Sequence, residues 1–186
     1  MKVSLKTLGL RIQLNHTSLL CTNPSPCHAD FRVLHTNGIH DVALDYCDCE
    51  RAVPKHIQLL RRGLYPASQL DVKSSATFRL LEQLHLLALT SKSSTHGFYQ
   101  ALEKLTSNIG IGLPPSRYRP LFRMVLQWRH LKMLKRGGRA HDASGAAGTK
   151  DGELGIVCPS CPLPGINIPK EWVLAEGLAR YVQRLF

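Results

Sequence analysis

Cys47 and Cys49, in the stretch LDYCDCERAVPKHI, are separated by a single aspartate. A disulfide between them would close too tight a ring for ordinary bridge geometry. Two thiolates aimed at one soft cation is the chemistry this spacing suits. Zinc (Zn2+), which takes four thiolate or imidazole ligands at tetrahedral geometry, is the natural candidate. Further donors ahead of the helical half of the chain are His16, Cys21, Cys27, His28, His35 and His40. A later pair, Cys158 and Cys161, has the C-x-x-C spacing that wraps a metal as a knuckle. The plainer reading of the same thiols is small buried apolar groups. Ligand number and spacing favour structural zinc. No HExxH motif or paired carboxylate cluster accompanies them, so a catalytic metal is not expected. His35 and His40 read as surface histidines flanking a turn.

A second chemistry lies in the acid-free segment from Lys104 to His141, which holds Arg117, Arg119, Arg123, Arg129, Lys132, Lys135, Arg136 and Arg139. Within it Leu121, Val125 and Trp128 continue at the same spacing into Lys132 and Lys135, so one helical stripe turns from apolar to basic. The whole chain carries 24 basic against 13 acidic residues, a formal charge of +11. Such an imbalance favours polyanionic partners, nucleic acid first. Phosphate contact through Arg129, Lys132, Lys135 and Arg136 is the functional reading, and DNA the expected partner. The bland reading is a solvated face. The alternative from another class is a helical protein-interaction domain whose basic face docks an acidic protein, with no nucleic-acid role. There is no P-loop, no nucleophile elbow and no local carboxylate pair, so neither catalysis nor a small-molecule substrate is expected.

These residues need elements to position them. Asn37-Gly38, within DFRVLHTNGIHDVALDYC, suits a two-residue type I′ turn. Pairing outward from it sets Val33 opposite Val42, Phe31 opposite Leu44 and His28 opposite Cys47. Phe31, Val33, Val42, Leu44 and Tyr46 then share a buried face, and the open end of the hairpin collects Cys27, His28, Cys47 and Cys49. MKVSLKTLGLRIQL alternates like a strand. Pro54 starts a short helix carrying Ile57, Leu60 and Leu64. Helical spacing recurs in SSATFRLLEQLHLLALTSK (Leu80, Leu84, Leu87), in THGFYQALEKLTSN (Phe98, Leu102, Leu105) and in SRYRPLFRMVLQWRHLKMLKR.

The expected fold is α+β: a β-rich cysteine-cluster module over 1–53, then a mainly helical bundle over 54–136. A Gly/Ala-rich flexible linker over 137–152 leads to a Cys-x-x-Cys loop and terminal helix over 153–186. No apolar run approaches the roughly 18 residues of a membrane span, and the N-terminus lacks the apolar block of a signal peptide. The chain is therefore expected in a nuclear or cytoplasmic, reducing compartment and not to be secreted.

The string VLHTNGIHDVALDYCDCERAVPKHIQLLRRGLYPAS resembles the cysteine-cluster domain attached to KDZ (Kyakuja-Dileera-Zisupton) transposases of fungal genomes. FRLLEQLHLLALTSK, WRHLKMLKRGGRAHD and GELGIVCPSCPLPGINIP followed by Trp172 agree with it in order. The resemblance implies zinc chelation by His16 and Cys21 before the hairpin and by Cys47 and Cys49 after it, although Asn15-His16 stands where Gly-His is usual. The hairpin register alone nominates Cys27 and His28 instead. The resemblance also implies an RNase H-like catalytic domain downstream. EGLARYVQRLF looks like its beginning, so the expectation is a non-catalytic accessory domain, with a transposase catalytic domain as a partner in trans.

Overall fold

The computed structural model of the chain describes residues 4, 6–14, 21–50, 52–110, 112, 114–155 and 164–171. Strands come first and helices after, a mixed α/β structure of the expected class. The strands are β1 (Arg11–Gln13), β2 (Pro24–Pro26), β3 (Arg32–His35), β4 (Gly38–Asp41), β5 (Ala43–Cys47), β6 (Leu64–Pro66) and β7 (Ser74–Thr77). The helices are α1 (Lys55–Arg61), α2 (Phe78–Thr90), α3 (Thr95–Thr106) and α4 (Tyr118–Arg136). The chain divides into two compact units, Met1–Lys132 and Met133–Phe186.

Two small sheets share the N-terminal unit. One has the order β1-β5-β2, with β1 parallel and β2 antiparallel to β5. The other has the order β4-β3-β7-β6, with a parallel pair at its centre. Successive side chains of a strand point to opposite faces, and β3 uses both. Val33 enters a core with Leu14, Phe31, Leu44, Tyr46, Leu59 and Val72. Leu34 enters the other, with Leu80, Leu81, Leu84, Tyr99, Leu102, Leu121, Met124 and Val125 from the helices. Thr77 caps α2 by accepting the Leu80 N–H, and Ser94 caps α3 by accepting that of Gly97.

The hairpin forms, but its register differs from the expected one by two residues. His35 pairs with Gly38 and Val33 with His40. The loop is thus Thr36-Asn37, and neither residue has a positive φ, so the turn is not type I′. The positive φ, 140°, belongs to Gly38, where an added Cβ would lie 3.0 Å from Thr106 Oγ1. That hydroxyl accepts the Ile39 N–H at 2.8 Å and donates to Leu102 O at 2.7 Å. The end of α3 therefore holds the hairpin, and this contact overrides the local turn preference. A slip of two residues keeps the face, so Phe31, Val33, Leu44 and Tyr46 are buried together as expected, while Val42, expected with them, is half-buried against that core.

A larger departure follows at Val42, where the second hairpin strand leaves one sheet and becomes β5 of the other. Pro24, not His28, consequently faces Cys47. The segment expected to be mainly helical also contains β6 and β7, and among the described residues of the N-terminal alternation only Arg11–Gln13 is strand. In α3 the buried face is Thr95, Tyr99 and Leu102, while Leu105 is 55% exposed. In α1 it is Gln58 and Leu59, with Ile57 and Leu60 half-buried.

Gly38→Ala meets both an unfavourable φ and a wall of α3. It is expected to destabilise the protein by about 1–3 kcal/mol, read as a lowered denaturant midpoint with an unchanged m-value. An unaltered midpoint would show that the Gly38–Thr106 approach does not set the register.

Candidate metal centre

β5 ends at Cys47, and the chain turns back at once, Ala52 donating its N–H to Cys49 O at 2.8 Å. Beyond the Pro24–Cys47 pair, Asn23 clasps Asp48. Asp48 N–H donates to Asn23 O at 3.0 Å, and Asn23 Nδ2 donates to Asp48 O at 2.9 Å. This clasp carries Cys21 to Cys49, whose sulfurs stand 3.7 Å apart. The sulfurs of Cys21, Cys47 and Cys49 all lie within 4.8 Å of one another. Cys47 is buried and the other two are half-buried.

A tetrahedral zinc with bonds of about 2.3 Å to sulfur separates its thiolates by about 3.8 Å, and the Cys21–Cys49 distance fits that requirement. Such soft donors suit zinc over magnesium or calcium, which prefer oxygen. The Cys49 backbone N–H, hydrogen-bonded to the Cys47 thiol, favours its thiolate. Burial and the neighbouring Cys49 and Cys21 thiols outweigh it and push the Cys47 thiol up. Crowded thiols resist ionising together, and a divalent cation removes that resistance.

The structure thus brings together Cys21, Cys47 and Cys49 of the expected ligands. His16 lies outside the described residues, as do Cys158 and Cys161. β1 runs parallel to β5, with Gln13 beside Asp45 and the Leu14 N–H bonded to Asp45 O at 2.8 Å, so it heads toward the Cys47 end. Cys27 and His28 are not part of the thiol group. The Cys27 sulfur accepts the Leu44 N–H at 3.3 Å, and His28 Nδ1 accepts that of Asp30 at 3.0 Å. His35 and His40 face Thr77 Oγ1 and Asn37 Oδ1 instead of a metal site. A residue that the sequence reading passed over is Gln58, 1% exposed and hydrogen-bonded to the Cys47 backbone. Its only signal was an amide in the first turns of the helix that Pro54 opens.

The basic stripe of α4 is divided. Lys132 Nζ lies 2.6 Å from Glu82 and 5.5 Å above the Trp128 ring, and Trp128 Nε1 donates to the same carboxylate at 3.2 Å. The Lys132 hydrogen bond leads in holding the Glu82 carboxyl below its usual range, against its partial burial. Arg129, Lys135 and Arg136 have no ion-pair partner among the described residues, nor do Arg119 and Arg123. The last two are exposed on the side of α4 opposite Leu121 and Val125. Arg139 is neutralised by Asp142 and Glu153.

A small mixed α/β domain organised round a cysteine cluster is the class these features define. Residues 5–110 match the CxC2-like cysteine cluster associated with KDZ transposases. That is more than half of the chain, and the chain belongs to this family. The match contains all three converging thiols and α1 to α3, and it stops before α4. No curated protein and no solved structure matches the chain.

Cys21→Ser is expected to lower zinc affinity by more than the 10–100-fold, roughly, that loss of an outer hydrogen-bond partner costs. Cys27→Ser should leave affinity unchanged. Competition against a chromophoric chelator measures both, and equal losses in the two variants would refute the three-thiol assignment.

Proposed function

We infer that this chain is a zinc-stapled accessory module of a KDZ-type transposase, without catalysis of its own, that recognises duplex DNA in the nucleus. The observation that carries the reading is the meeting of Cys21 with Cys47 and Cys49, from two separate stretches of chain, within 4.8 Å. His16 is the fourth ligand in this reading, since β1 leads toward the Cys47 end and only Asn15 separates Leu14 from it. The ligand set supports a structural role. Closed thiolate and imidazole sites hold folds together, whereas cutting and joining phosphodiesters with magnesium needs carboxylate oxygens. The transposase catalytic domain is the partner that such a module serves.

DNA contact is assigned to α4. Its stretch of sequence lacks acids, and Arg119 and Arg123 project from the face that packs on nothing in the core. Lys132 is already committed to Glu82, so it contributes little to phosphate contact. Arg129, Lys135 and Arg136 extend the contact along the helix.

Binding to random duplex DNA across a range of salt tests this. Replacing Arg119 and Arg123 together by Gln should lower the slope of log K against log salt by about two units, one per lost phosphate contact. Lys132→Gln should change the slope far less. Sequence preference should hardly alter, because phosphate contacts position a protein without reading bases. A double variant with the parent's affinity and slope would remove the DNA reading. Phe122 and Leu126, exposed beside these arginines at 41% and 47%, would then favour an acidic protein partner.

A further inference from the structure

Gln58 occupies a position where a polar side chain needs a reason. It is 1% exposed, beside fully buried Leu59, on a helix of seven residues. Its reason is the backbone of Cys47. At the Pro24–Cys47 pair the ladder bond runs from Asp48 N–H to Asn23 O, so the N–H and C=O of Cys47 point away from β2. Within the described residues β1 pairs with β5 only as far as Asp45. Both Cys47 groups are taken by one amide. Gln58 Oε1 accepts the Cys47 N–H at 2.9 Å, and Nε2 donates to Cys47 O at 2.8 Å. The same Nε2 donates to Val53 O at 2.8 Å. One side chain thus acts as a short surrogate strand for Cys47 and closes the 47–53 loop that carries Cys49.

Building on the zinc reading, we propose that Gln58 is the positioning residue of the metal centre, and that through it metal occupancy and the docking of α1 are coupled. A thiolate can enter a tetrahedral site only from a narrow range of backbone positions. Gln58 holds Cys47 and the loop leading to Cys49 in that range before metal arrives. Linkage makes the effect reciprocal, so a bound metal holds the loop that Gln58 grips and thereby keeps α1 in place.

Two variants keep the test clear of simple misfolding. Gln58→Leu removes all three hydrogen bonds. Gln58→Glu keeps the shape and the acceptor but sets a carboxylate against two carbonyl oxygens. Both are expected to bind zinc about 10–100-fold more weakly and to show an altered cobalt(II) absorption spectrum, which reports thiolate geometry at the metal. In the parent, chelating zinc should speed hydrogen exchange of the α1 amides; in both variants α1 should already exchange fast with zinc bound. Lower melting temperature with unchanged zinc affinity and an unchanged cobalt spectrum would make Gln58 merely structural and overturn the proposal. A parent protein that binds no zinc would instead defeat the zinc reading on which it rests.

Discussion

Cys47 is held on two sides, by Pro24 across the sheet and by the Gln58 amide on its backbone, and the other two sulfurs are placed relative to it. Asp48, clasped by Asn23, aims Cys49 at Cys21, while Leu44 and Tyr46 of the same strand anchor β5 in the N-terminal core. That core is small and its strands run only three to five residues. Burying an aliphatic side chain contributes about 1.5–3 kcal/mol, whereas a structural zinc in a small domain contributes an apparent 10–16 kcal/mol or so. One metal would therefore be worth several core side chains, and the thiols that could hold it meet where β5, β2 and α1 converge.

The helical core depends less on that point. Its contacts with the strands pass through Leu34 and Ile39 of the hairpin, through Tyr65 of β6 and Ala76 of β7, and through Thr106 at the end of α3. Tyr99 extends the arrangement by accepting the Arg117 N–H at 2.7 Å, which fixes the start of α4. α4 then packs Leu121, Met124 and Val125 inward, and the Trp128–Glu82–Lys132 group closes that face. With Lys132 paired there, the α4 cations without an ion-pair partner among the described residues lie on the outer face and along the end of the helix.

Much of this was legible in the chain because local pattern and tertiary demand agreed. The C-x-C spacing announced a ligand pair, the hairpin announced itself through Asn37-Gly38, and Leu80, Leu84, Leu121 and Val125 repeated at helical intervals. Where the two disagreed, tertiary contact prevailed. The sequence places Gly38 within the turn, yet its close approach to Thr106 moves the register. Nothing in the alternation of IHDVALDYC marks Val42 as the crossing between sheets. Ser74-Ser75-Ala76 lacks the β-branched, alternating look of a strand; it is one because β3 and β6 flank it in the interior. Cys21 was selected over Cys27 by resemblance alone, since the pairing implied by a regular hairpin favoured Cys27. The Glu82–Lys132 pair joins residues 50 positions apart, and no local signal could have withdrawn Lys132 from the basic stripe.

Zinc K-edge X-ray absorption on the purified protein tests the central claim most directly, because it counts and identifies the atoms around the metal. A structural site built on Cys21, Cys47 and Cys49 with His16 requires three sulfurs at about 2.3 Å and one nitrogen at about 2.0 Å. A zinc shell of oxygen and nitrogen alone, or protein that stays metal-free after zinc is supplied under reducing conditions, would contradict it.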